Sequence, residues 1–122
     1  MTSPFGMRWS GFLPAVHHGV DIYVPEGTPI HSMASGQVRY AGWMRGYGNV
    51  IWIDHRGGVL SVYAHLSRME VRSGDRVSGR QLIGHSGSTG DVTGPHLHFE
   101  VWAAGRPVDP VPFLGRRPGS AP

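Results

Sequence analysis

Apolar and polar positions alternate along this chain in short stretches, and no segment carries the three-to-four-residue period of a helix face. Residues 19–24 read as extended and stop at Pro25. Residues 29–34 and 37–43 predict a hairpin turned at Ser35-Gly36. Residues 49–55 and 59–66 predict a second one, turned at Arg56-Gly57-Gly58. A turn at 72–75 leads into short strands at 76–77 and 81–84. Residues 87–94 form a Gly-rich loop, and 95–103 read as the last clear strand, closed by Ala104-Gly105. The pattern predicts an all-β, mostly antiparallel fold built from short hairpins. One domain is expected over 1–114, with no repeat or internal linker, followed by a disordered tail at 115–122.

Composition supports this and narrows the chemistry. The 19 Gly and 10 Pro among 122 residues disfavour helices, and the length suffices for one core without staples. There is no Cys, so thiol nucleophiles, disulfides and cysteine metal sites are excluded. All 11 basic residues are Arg, which removes Schiff-base and Ser-Lys chemistry. A net charge of +3 makes the surface mildly basic, but the Arg residues are scattered and no nucleic-acid motif is present. No nucleic-acid partner is expected, and a monomeric domain is. No run of 18 apolar residues could span a membrane, and the first residues, MTSPFGMR, do not read as a signal peptide.

Eight His is an unusual share, and strand parity sorts them. With a period of two, His96, His98, Glu100 and Trp102 share one face of the last strand, while Leu97, Phe99 and Val101 share the other, apolar one. His96 and His98 lie about 6.6 Å apart along that strand, close enough to converge on one site. In the preceding strand Ser61, Tyr63 and His65 share a face. His17 and Asp21 share parity but would be about 13 Å apart on a straight strand, so a bend or bulge is expected near Gly19. Parity nominates His17, Asp21, His65, His96 and His98 for one site without deciding which of His96 and His98 would hold a metal. Glu100 is either a partner that orients a histidine or a plain surface residue. His31, His55 and His85 have no such context and receive no role.

Three stretches, His17-x-Gly19-x-Asp21, Tyr63-Ala64-His65-Leu66 and Gly94-Pro95-His96-Leu97-His98-Phe99-Glu100, together resemble the motifs of the lysostaphin-like zinc metallopeptidases, the M23 family. Intervening text, including Gly46-Tyr47-Gly48-Asn49-Val50 and Gly87-Ser88-Thr89-Gly90, extends the resemblance over residues 3–110. It implies a lysostaphin-like β-sheet domain with one zinc at the floor of a groove. Hydrolysis of peptide bonds in the stems or cross-bridges of bacterial peptidoglycan, by a zinc-activated water, would follow. The resemblance makes His17, Asp21 and His98 the metal ligands and His65 and His96 the catalytic histidines, leaving open which of the two is the base. It also implies a location in the cell envelope, periplasmic or secreted. No residue clearly matches the substrate-stabilising tyrosine of some members; Tyr47 and Tyr63 are the candidates.

Other readings fare less well. The 87–94 loop lacks the Lys of a phosphate-binding loop. Gly84-His85-Ser86-Gly87-Ser88 fails the pattern of a serine nucleophile elbow. The turns around Gly74-Asp75 and Ile83-Gly84 resemble those of biotinyl and lipoyl carriers, which need a Lys that this chain lacks. The runner-up is a non-catalytic, M23-like binding or regulatory domain of the cell envelope.

Overall fold

A computed structural model describes residues 19–89 and 95–110. Among the described residues there are nine strands and no helix, so none is long and apolar enough to cross a membrane. The strands are β1 (Gly19–Ile22), β2 (Pro29–His31), β3 (Gly36–Met44), β4 (Gly48–Asp54), β5 (Val59–Met69), β6 (Arg76–Val77), β7 (Leu82–Ser86), β8 (Leu97–Ala103) and β9 (Arg106–Val108). Every pairing is antiparallel, and the main order is β1-β8-β5-β4-β3-β6. The all-β expectation holds. The tail at 115–122 lies outside the described residues.

The hairpin expected at 59–66 forms, with β4 and β5 joined through Arg56-Gly57-Gly58. The one expected between 29–34 and 37–43 does not. β2 pairs with β7 instead, Ile30 opposite Gly84, and β3 turns back on β4 through Arg45-Gly46-Tyr47. Proximity in sequence suggested the wrong partner, because Ser35-Gly36 marks the entry into β3 and not a two-strand turn. A short strand after Ala104-Gly105, β9, was not anticipated; it closes a hairpin on the end of β8.

One face of the sheet carries the main core. Val20, Val38, Ile51, Ile53, Tyr63, Leu66, Leu97, Phe99 and Val101 are buried together there with Ile83 of β7. Parity therefore assigned β8 correctly: its Leu97, Phe99 and Val101 all face this core. The opposite face is smaller. Val50, Val62 and Ala64 form its floor, walled by Tyr40, Met44, Tyr47, Trp52 and Trp102.

β5 organises the region between these faces. One of its edges carries β4. The other carries β8 as far as Ala64 and then β7 from Leu66 onward. At the hand-over the register slips: Ile51 faces Tyr63, yet Asn49 faces Leu66, so β5 holds one more residue than β4. This is a β-bulge, and His65 sits in it with φ 64°.

Candidate active site

β1 and β8 bring the first pair together. Asp21 lies directly opposite His98, and Gly19 opposite Glu100, with no slip in register along β1. The bend expected near Gly19 is therefore absent from residue 19 onward; His17 and His18 lie outside the described residues. The structure gives Gly19 a different purpose. A Cβ there would overlap the Phe99 carbonyl oxygen and come within 2.8 Å of Glu100 Cγ. Glycine lets β1 lie close against β8, and that closeness sets Asp21 beside His98.

Asp21 Oδ1 is 2.7 Å from His98 Nδ1 and 3.6 Å from His96 Nε2. On its other side His98 Nε2 is 2.8 Å from Glu100 Oε2. Burial alone disfavours a charged ring here. The bonds to Asp21 and Glu100, with their charges, outweigh it and raise His98 to about 9. Burial likewise pushes both carboxyls up, but His98 reverses this and leaves Asp21 and Glu100 below the usual carboxylate range. Glu100 is only 1% exposed, so it is no surface glutamate.

His65 reaches the site through its bulge. Alternation would have kept it with Ser61 and Tyr63, which face the core, where Tyr63 packs on Phe99. The shared face expected for these three is thus corrected. The extra residue and left-handed backbone turn His65 across the sheet, to ring distances of 5.0 Å from His96 and 6.0 Å from His98. Such a backbone for a non-glycine residue is strained and must be held from outside. Its amide donates to the Tyr47 carbonyl at 2.8 Å, and its ring Nδ1 donates to the Thr89 carbonyl at 2.7 Å.

Thr89 is itself fixed. Its hydroxyl accepts from the Asn49 amide and donates to the Leu66 carbonyl. Gly48, at φ 69°, leaves room for it, since a Cβ there would meet the Thr89 carbonyl at 2.6 Å. The bond to Thr89 places the proton of a neutral His65 on Nδ1 and leaves Nε2 with a lone pair. Burial lowers His65 below the ordinary imidazole range; the Thr89 carbonyl opposes this, and the charges of His98 and His96 add to it. A neutral imidazole with a fixed tautomer is suited to accept a proton.

His96 is buried near the start of β8, its amide bonded to the Gly87 carbonyl and its ring edge-on to Tyr23 at 5.5 Å. Asp21, His65, His96 and His98 thus come together. His17 is outside the described residues. His31, His55 and His85 engage other groups: the Arg80 carbonyl, Ser35 with Ser61, and Glu70. Of the two candidate tyrosines, Tyr63 is core and Tyr47 lies at the site, its hydroxyl donating to Glu100 Oε2 at 3.0 Å.

Sequence reasoning placed Trp102 on the histidine face without a role and gave Thr89 none. Trp102 shares parity with His98, a signal that was available. The role of Thr89 depends on a loop closing over β5, which alternation does not encode.

The donor chemistry fits a metal in part. Zinc takes imidazole nitrogen and carboxylate oxygen, and a carboxylate behind a ligating imidazole is a usual accompaniment. The 2.7 Å between Asp21 and His98 is a hydrogen bond; a shared zinc would hold the two donors roughly 3–4 Å apart. Among the described residues no three His, Asp or Glu side chains converge as a ligand set.

Comparison with known proteins identifies the family. Residues 15–110 match the family described as Peptidase family M23. The DD-carboxypeptidase/endopeptidase Mpg of Neisseria meningitidis is 44% identical over 113 residues, covering 91% of this chain and 26% of the relative. The chain thus spans about a quarter of that relative's length. The catalytic domain of the antimicrobial peptidase lysostaphin from Staphylococcus simulans superposes with a TM-score of 0.78 at 40% identity, covering 87% of this chain and 84% of that domain. A zinc-containing peptidase from Vibrio cholerae does so with a TM-score of 0.74 at 40% identity, covering 76% and 29%. The domain built around Asp21 and His98 belongs to peptidase family M23.

Proposed function

We propose that the chain is a zinc-dependent endopeptidase domain that hydrolyses peptide bonds of bacterial peptidoglycan in the cell envelope. The observation that carries this is the cluster on one sheet face: Asp21 against His98 Nδ1, Glu100 behind His98 Nε2, and His65 and His96 alongside. The zinc-containing Vibrio peptidase supports the metal, the endopeptidase named for the Neisseria relative supports the reaction, and a relative named peptidoglycan DD-endopeptidase ShyA, 43% identical over 95 residues, supports the substrate class.

His17, Asp21 and His98 would hold one zinc. Bound there, it would supply Lewis acidity, lowering the pKa of a water and polarising the scissile carbonyl. The chain's own residues do the rest. Asp21 balances part of the metal's charge. His65, held neutral with Nε2 free, takes a proton from the attacking water. His96, its Nε2 3.6 Å from Asp21 Oδ1, stabilises the developing oxyanion, and His65 passes the proton it has taken to the leaving amine.

The test is mass spectrometry of fragments released from peptidoglycan of defined composition. Wild-type protein should generate new amino termini at one type of bond, and His98→Ala should generate none. Equal release by both proteins would rule the assignment out.

A further inference from the structure

The ligand and catalytic roles leave Tyr47, Glu100 and Trp102 without a function. Their side chains nevertheless form one unit. Glu100 is buried, and its two oxygens are fully engaged. Oε2 accepts from Tyr47 at 3.0 Å and from His98 Nε2 at 2.8 Å, and Oε1 accepts from Trp102 Nε1 at 2.8 Å. An ionised carboxylate out of water costs several kcal/mol unless such donors offset it.

These donors also remove its rotational freedom, because they approach from different directions. Tyr47 comes from the β3–β4 turn and Trp102 from the far half of β8. Trp52 packs against both, its ring 6.5 Å from Tyr47 and 6.4 Å from Trp102. A fixed Glu100 fixes the line from its Oε2 to His98 Nε2. That line sets the ring plane of His98 and aims Nδ1 at Asp21.

We propose that Tyr47 and Trp102, acting through Glu100, are positioning residues that hold the His98 ring and thereby set how tightly the site binds its metal. The inference rests on the zinc reading given above. It assigns to Tyr47 a structural partner in place of the substrate contact considered from the sequence.

The experiment is zinc affinity, by competition with a chromophoric chelator, for wild-type protein, Tyr47→Phe and Glu100→Gln. NMR detection of the His98 Nε2–H in the zinc-loaded proteins accompanies it. Loss of the carboxylate should weaken zinc about 10- to 100-fold, in line with other groups that orient a ligating imidazole, and move the Nε2–H resonance upfield. Tyr47→Phe, which keeps the ring and removes one hydrogen bond, should weaken zinc about 3- to 10-fold and shift the same resonance. If Glu100→Gln does not fold, Tyr47→Phe decides alone. Variants that hold zinc as tightly as wild type, with the resonance unmoved, overturn the positioning role and leave the zinc reading intact. A wild-type protein that takes up no zinc overturns both.

Discussion

Gly19→Ala adds a single methyl group, and the structure places it against the backbone that aligns the site. The new Cβ would overlap the Phe99 carbonyl oxygen and lie 2.9 Å from its carbonyl carbon and 2.8 Å from Glu100 Cγ. Carbon atoms in contact prefer about 3.5–4.0 Å, so β1 must retreat from β8 by roughly 1 Å. Gly19 has no positive φ, so the cost is steric and not conformational. Over-packing of this kind typically costs about 1–3 kcal/mol. At roughly 4 °C per kcal/mol for a domain of this size, Tm of the metal-free protein should fall by about 4–12 °C. Asp21 sits two residues further along the same strand, and metal–ligand distances tolerate only about 0.2 Å. Zinc affinity should therefore fall about tenfold or more. Gly79→Ala is the control, since its nearest neighbours are at 3.6 Å and it too lacks a positive φ. It should change stability by under about 0.5 kcal/mol or raise it slightly. Thermal unfolding and zinc titration of the two variants read both effects. A Gly19→Ala protein that melts and binds zinc like Gly79→Ala would refute the close-approach argument.

Other consequences follow from the same geometry. His65→Ala should retain stoichiometric zinc and lose about 10²- to 10⁴-fold in kcat; turnover within a few-fold of wild type would remove His65 from the chemistry. Tyr63→Phe should cost about 1–3 kcal/mol in urea unfolding, because it takes from the Met33 amide the oxygen that now serves it and leaves the Ser61 hydroxyl with His55 alone. His55 offers a pH test away from the metal. Burial lowers it below the ordinary imidazole value, against the opposing influence of the Ser35 bond and Asp54. A base depressed by folding contributes stability that is present above its unfolded value, about 6.5, and is lost as pH falls through the folded value. Tm of the metal-free protein should thus drop less steeply below about pH 6.5 in His55→Gln than in wild type, and parallel slopes would contradict this.

The strands were legible where alternation is regular. β8 is the clearest case: one apolar row packs into the core, and the other carries His98, Glu100 and Trp102. Alternation failed where the backbone departs from it. The bulge at His65 moves that ring to the opposite face from Tyr63, and a period of two cannot encode an inserted residue. β2 was given the wrong partner because strand pairing depends on the whole sheet, here on β7 more than fifty residues away. Gly19 was singled out for a bend toward His17, which lies outside the described residues; the close approach to Phe99 becomes visible only once β8 lies alongside. The choice between His96 and His98 came from resemblance. The structure adds a physical asymmetry, since Asp21 lies nearer to His98 and Glu100 backs its far nitrogen.

The central claim is that Asp21 and His98, with His17, hold a zinc on which peptide-bond hydrolysis depends. It is tested most directly by adding zinc back to metal-stripped protein while following the release of amino groups from purified peptidoglycan. The account predicts no release before addition and full release at one equivalent of zinc per chain. Undiminished release by the metal-free protein would contradict it.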